Sequence, residues 1–207
     1  MFSEAIDLSP TYGPMKRQLS FMSCYHDPDS EKLLNAKCDP YYPDAAGLQR
    51  GPAIYWHPGF AWAIRRTAFD HLGGLIDWAI LGSGDYHMAR CLIGEGESSI
   101  HPGINDTYAN MIRRWQDRAE KHIRRNVGYV PGLILHHWHG RKRDRRYWNR
   151  WKILVDNGYD PFLDLKMDSQ GLWQLTDRSH QLRDEIRGYF STRHEDSIDP
   201  DPRDYNM

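Results

Sequence analysis

GFAWAIRRTAFDHLGGLIDWAILGSGD, residues 59–85, and LILHHWHGRKRDRRYWNR, residues 133–150, are the two stretches on which the reading of this chain turns. The first reads as a buried strand, a short helix, a Gly73-Gly74 turn and then a carboxylate, Asp85, delivered by the tight Gly82-Ser83-Gly84 turn. The second reads as a strand that ends in three histidines and runs into a cluster of arginines. Together they read as one wall of an active site.

The surrounding composition sets limits on that site. With 207 residues and 40% hydrophobic content the chain is long enough for one well-buried domain, expected over residues 1–190, with a disordered tail at 191–207 where apolar residues are too few to bury. Acidic and basic residues nearly cancel, 28 against 27, so the overall charge demands neither nucleic acid nor an anionic membrane, and any basic site must be local. Eight Trp and twelve Tyr supply flat apolar faces with polar handles, suited to stacking on sugars or bases and equally to an aromatic core. Cys24, Cys38 and Cys91 have no CxxC spacing and read as small buried apolar residues in a reducing compartment. No run approaches the roughly 20 apolar residues of a membrane span, and the N-terminus lacks a signal-peptide pattern, so a cytoplasmic location is expected.

Along the chain, residues 1–49 read as irregular, with a helix only around 30–36 and a turn at Asp27-Pro28-Asp29. Short strands are expected at 53–56 and 60–64, and a helix capped by Thr67 that stops at Gly73. Another helix should cover 85–93. A longer one should cover 106–125, capped by Asn105, with Tyr108, Ile112, Trp115, Ala119 and Ile123 as its inward stripe. The end of the apolar run 127–135 is expected as a central strand carrying His136, His137 and His139. Strand alternation then puts His137 and His139 on one side and His136 on the other. Helices over 141–155 and 178–190 complete an α/β domain, a short mixed sheet flanked by helices.

Three groups of residues are candidates for chemistry. His137 and His139, with His136 beside them, form the candidate metal site, because neutral imidazole on a rigid strand end is a common ligand; the competing reading makes His136 a core residue bonded to backbone. Asp85, between a glycine turn and a helix start, reads either as a general base able to approach a hydroxyl closely or as an N-cap, the role its spacing favours. Arg141 and Lys142 are placed to meet a diphosphate, while charge runs of this kind also serve as solvated helix faces or nucleic-acid contacts.

At these residues the chain resembles a family. HPGFAWAIRRTAFDHLGGLIDWAILGSGDYHMARCLIG, followed by LILHHWHGRKRDRRYWNRWKIL and YDPFLDLKMDSQGLWQL, is similar to the C-terminal half of bacterial and viral glycosyltransferases with the GT-A fold, of the family 2-like kind. The likeness covers roughly residues 1–175. It implies a partial GT-A-like domain, a nucleotide-sugar donor, usually UDP-linked, a divalent Mn or Mg, and transfer of one sugar to a glycan or other acceptor hydroxyl. Carried onto this sequence, it makes Asp85 the acceptor-activating base, with Gly84 beside it. Gly59 and Trp62 fall on the acceptor-side strand, His137 or His139 becomes a metal ligand, Trp138 and Trp62 stack on sugars, and Arg141 and Lys142 contact the diphosphate. Such enzymes begin with a nucleotide-binding half ending in DxD, so a separate N-terminal glycosyltransferase half is an expected partner. A non-catalytic carbohydrate-binding or assembly module is the alternative. A metal-dependent nuclease ranks last, because its acidic ligands are missing and nucleic acid is not an expected partner.

Overall fold

The computed structural model describes residues 1–28, 56–147 and 149–198. The helix expected at 30–36, most of the strand at 53–56, Asp29 and Cys38 lie outside them. The chain is α/β with a short mixed sheet and helices, and where one domain is expected over 1–190 its contacts divide into two compact units. One comprises Met1–Ala63, Val127–Trp148 and Arg193–Met207; the other, Ile64–Asn126 and Asn149–Thr192.

The sheet unit holds β1 (Phe2–Leu8), β2 (Pro14–Ser20), β3 (Trp56–His57) and β4 (Val130–His136) in the order β3-β2-β1-β4. The β1–β2 pair is antiparallel, whereas β1–β4 and β2–β3 are parallel. This corrects the expectation that residues 1–49 are irregular. Alternation is hard to see there because Asp7 and Gln18, both polar, share the buried face with Ala5. The β1–β2 turn closes by Ser9, whose amide donates to Gly13 O at 2.7 Å and whose hydroxyl accepts from Gly13 N at 2.9 Å. Helix α1 (Phe21–His26) follows, capped by Ser20, and buries Phe21, Met22 and Cys24.

Two other strand expectations change. The strand that carries His136 lies at the sheet edge rather than its centre, leaving Val130, Leu133 and Leu135 about half exposed. Residues 60–64 form no strand: Trp62 Nε1 donates to Pro58 O at 2.7 Å and Gly59 N to His57 Nδ1 at 2.8 Å, so local bonds replace a ladder. The described end of the chain belongs to this unit as well. Trp138 Nε1 donates to Ser197 O, and His194 lies 3.5 Å from the Asp144 carboxylate, so residues 193–198 are tied to it where a disordered tail is expected from 191.

In the helical unit, α2 (Arg66–Leu72) starts one residue before Thr67, the expected cap, with Arg65 at the N-cap, and ends as expected at Gly73, whose φ of 77° is left-handed. Helix α3 (Gly84–Leu92) carries Asp85. Helix α4 (Asp106–His122) matches its sequence pattern closely: Asn105 Oδ1 accepts from Thr107 N at 2.7 Å, and Tyr108, Ile112, Trp115 and Ala119 are buried, with Ile123 half-buried just past the end. The helix expected over 141–155 is broken. A 3-10 turn at Lys142–Arg145 is followed by Arg146 with φ 44°, which a helix cannot carry, and α5 (Arg150–Asp156) starts afresh, burying Trp151 and Leu154. Then come α6 (Pro161–Asp164), the hairpin of β5 (Leu165–Met167) and β6 (Trp173–Leu175), and α7 (His180–Ser191), capped by Ser179.

Aromatic rings fill this unit: Trp78, Trp151 and Tyr159 all meet Tyr108 edge-on, so these tryptophans are core residues. Two sets of buried polar side chains are bonded to one another. Asp164, 1% exposed, accepts from the Asp160 amide and from the Arg178 guanidinium. His87, fully buried, lies 2.8 Å from Ser99 Oγ and 3.1 Å from Tyr108 OH. Cys24 and Cys91 are buried free thiols, as expected, and burial pushes them up to about 11 and about 12. No helix among the described residues is long and apolar enough to cross a membrane.

Burial holds His87 neutral, pushing it down to about 3, with the Arg150 charge acting in the same direction. The unfolded chain takes up this proton near pH 6.5 and the folded chain does not, so stability is lost as pH falls below about 6.5, by up to about 1.4 kcal/mol per pH unit. Urea denaturation should show His87 contributing a loss of about 2 kcal/mol between pH 7 and pH 5. That increment should vanish in His87→Gln; an equal decrement in the variant would disprove the assignment.

Candidate functional site

Asp85 owes its place to a constrained turn. Gly82 (φ 97°) and Ser83 (φ 72°) are both left-handed, and a side chain on Gly84 would put a Cβ 2.6 Å from Ile76 O, so only glycine lets α3 start so close to that carbonyl. Ser83, not Asp85, is the N-cap residue; its carbonyl accepts from His87 N at 2.9 Å. The cap reading of Asp85 is thereby corrected. Its carboxylate stands in the first turn, where Oδ1 accepts from Tyr86 N at 2.9 Å. The backbone amide of Asp85 itself also donates to the carboxylate. Burial raises the carboxyl above the ordinary aspartate range, opposed by the Tyr86 amide and the Arg150 charge. A half-buried carboxylate whose affinity for a proton is raised is suited to accepting one.

A second cluster forms in the sheet unit at the carboxyl ends of the parallel strands β1 and β4, the place where open α/β sheets bind ligands. Asp7 and His136 are register partners, and His136 Nδ1 lies 2.9 Å from Asp7 Oδ1, while Gln18 Nε2 donates to Oδ2. An ionised carboxylate only accepts, so the hydrogen bond is donated by the Nδ1–H of His136. His136 is therefore bonded to a side chain, not to backbone. Its ring meets His139 edge-on at 4.6 Å and Phe60 at 5.5 Å, and Phe60 stacks on His57 at 4.1 Å.

The other histidines leave the strand. β4 ends at His136, so strand alternation does not orient His137 and His139. His137 is exposed, its ring 5.5 Å from Tyr12, and its carbonyl lies 3.0 Å from His139 Nδ1. His139 is half-buried, and burial, with the Arg145 charge, pushes its imidazole below the usual range, so it is neutral. One imidazole of that kind has the chemistry of a metal ligand. Yet no group of three or more His, Cys, Asp or Glu among the described residues could hold an ion, so His137 and His139 do not by themselves complete a site for Mn or Mg.

Gly59, Trp62, His137, Trp138, His139 and Arg141 thus fall in the sheet unit, and Gly84 and Asp85 in the helical unit. Lys142 opens the 3-10 turn in the sheet unit, and its side chain lies outside the described residues. Trp62 and Trp138 are half-buried and spend their indole N–H groups on backbone carbonyls, which fixes each ring. Sequence reasoning missed Asp7, Gln18 and Phe60. For Asp7 a signal exists, a carboxylate inside the apolar run AIDL, although its partner is 129 positions away.

Nitrogen-15 spectra of the imidazoles should show His136 protonated at Nδ1 at neutral pH. Asp7→Leu should remove that tautomer preference and destabilise the fold by about 1–3 kcal/mol, since Gln18 and His136 each lose a buried partner; an unchanged tautomer would show that Asp7 does not set it. Comparison of the chain with protein-family models, curated proteins and solved structures finds no match.

Proposed function

We propose that the chain is the acceptor-side part of a GT-A-type, family 2-like glycosyltransferase, which transfers a sugar from a nucleotide-sugar donor, a UDP-sugar on this reading, to an acceptor hydroxyl. The observation that carries the proposal is the half-buried Asp85 carboxylate, raised by burial and anchored through Oδ1 on the first turn of its own helix. The sequence likeness around residues 58–85 and 133–150 supports it.

In this mechanism the acceptor hydroxyl donates to Asp85 Oδ2. As the hydroxyl oxygen forms its bond to the anomeric carbon, its proton passes to the carboxylate, and the bond from that carbon to the diphosphate oxygen breaks with its electron pair leaving on the diphosphate. A carboxyl whose affinity for protons is raised toward the working pH is a better base than an exposed one. Within the sheet unit, taken by itself, Trp62 and Trp138 offer fixed faces suited to sugar rings, and Arg141 and Lys142 carry charge suited to a diphosphate. A bound Mn or Mg, with His137 or His139 as one ligand, would neutralise part of a diphosphate's charge. On this reading the donor is held by the nucleotide-binding half of such enzymes, and the reaction takes place in the cytoplasm.

Calorimetric titration with UDP, with and without Mn, on the wild type and His139→Ala, tests the donor side: metal-dependent binding weakened in the variant is expected. Transfer measured with a panel of UDP-sugars should then fall about 10²–10⁴-fold in Asp85→Asn with UDP binding unchanged. Absence of UDP binding under every condition, together with glycan binding indifferent to chelation, would replace the enzyme with a carbohydrate-binding module.

A further inference from the structure

The turn that delivers Asp85 has a second support, which comes from the start of α5. A Cβ on Gly82 would lie 2.7 Å from Arg150 Nη1 and 3.0 Å from both Cζ and Nη2. The terminal nitrogens of the guanidinium therefore occupy the space that a side chain on residue 82 would need. Arg150 Nη2 also donates to Ser83 Oγ at 3.1 Å. One planar side chain therefore touches both left-handed residues of the turn, 67 and more positions away in sequence. Non-glycine residues hold a left-handed conformation only when their surroundings fix it, and at Ser83 that fixing contact is Arg150.

We infer that Arg150 is the positioning residue for Asp85: its guanidinium clamps the Gly82-Ser83 turn from which α3 starts, and so fixes the place of Asp85 in the first turn of that helix. A lysine cannot reproduce both contacts at once, because an ammonium is a point charge on a flexible stem. The catalytic meaning of the clamp rests on Asp85 acting as the base.

The electrostatic surroundings support the assignment. Arg150 is the charged side chain that lowers the affinity of Asp85 for its proton, against the larger effect of burial. It acts on His87 of α3 and on Tyr108 of α4 as well, and burial keeps both of these uncharged. Other charges on the elements packed against α3 are engaged elsewhere: Arg90 with Glu95, and Glu97 with Arg113.

Carbon-13 titration of the Asp85 carboxyl in the full chain tests the inference without requiring turnover. Removing the cation in Arg150→Met should raise the Asp85 midpoint, and Arg150→Lys should raise it by a smaller step. Near-UV circular dichroism checks that the variants are folded. A folded Arg150→Met with the wild-type midpoint overturns the inference; should Arg150→Met fail to fold, an unshifted midpoint in Arg150→Lys does so.

With an active transfer assay, the acid limb of kcat/KM should move to higher pH by the same step in Arg150→Met, whereas a merely structural role would scale the whole profile without moving it. The two readings fail separately. Full transfer by Asp85→Asn would remove the base and leave the midpoint result standing, and an unmoved midpoint would remove the clamp and leave the base.

Discussion

A neutral imidazole at the centre of the helical unit is the constraint on which that unit depends. His87 on α3 reaches the hydroxyl of Ser99 in the following 3-10 turn and the hydroxyl of Tyr108 on α4, so one side chain satisfies polar groups on three elements. Around it Tyr108 meets Trp78, Trp151 and Tyr159, and Tyr159 OH donates to Trp78 O at 2.7 Å. A polar group buried without a partner costs about 1–3 kcal/mol, which leaves these rings little freedom to repack. Helix α3 is therefore held from its buried side by His87, two residues beyond Asp85. The position of the carboxylate follows from the packing of the core beneath it.

The sheet unit solves the same problem with a charge. Asp7 is buried because Gln18 and His136 both bond to it, one from β2 and the other from β4, so the carboxylate joins the three strands across their hydrogen-bonded ladders. Two arrangements of acidic side chains result: Asp7 and Asp164 are enclosed and paired, whereas Asp85 is half-buried. Only the second is arranged to exchange a proton with something that arrives from outside.

What could be read from the sequence was whatever depended on near neighbours. Asn105 as a cap, the stripe Tyr108, Ile112, Trp115 and Ala119, the stop at Gly73 and the place of Asp85 in the first turn of a helix are all set within a few residues. The hairpin β1–β2 was hidden because Asp7 and Gln18 interrupt the apolar face that would announce it, and their reason for being there lies far along the chain. The apolar run at 60–64 misled in the opposite direction, since His57 and Trp62 satisfy the backbone locally and no partner strand is needed. Arg150 sat inside an arginine-rich segment that resembled a charged helix face. Nothing local distinguishes it from its neighbours, and only the glycine opposite shows its role.

Parallel pairing of β1 with β4 also dictates an order of events during synthesis. β1 and β2 emerge first, but the strand that completes the sheet next to β1 is made 129 positions later, roughly 6–26 s at ordinary translation rates. In that interval α2, α3 and α4 are all translated, and contacts among them, such as Arg118 with Leu72 at 46 positions and His87 with Tyr108 at 21, span less of the chain than the pairing of β1 with β4. The helical unit can begin to assemble while the first strand still waits for its neighbour, a waiting hairpin whose Asp7 has Gln18 but not yet His136.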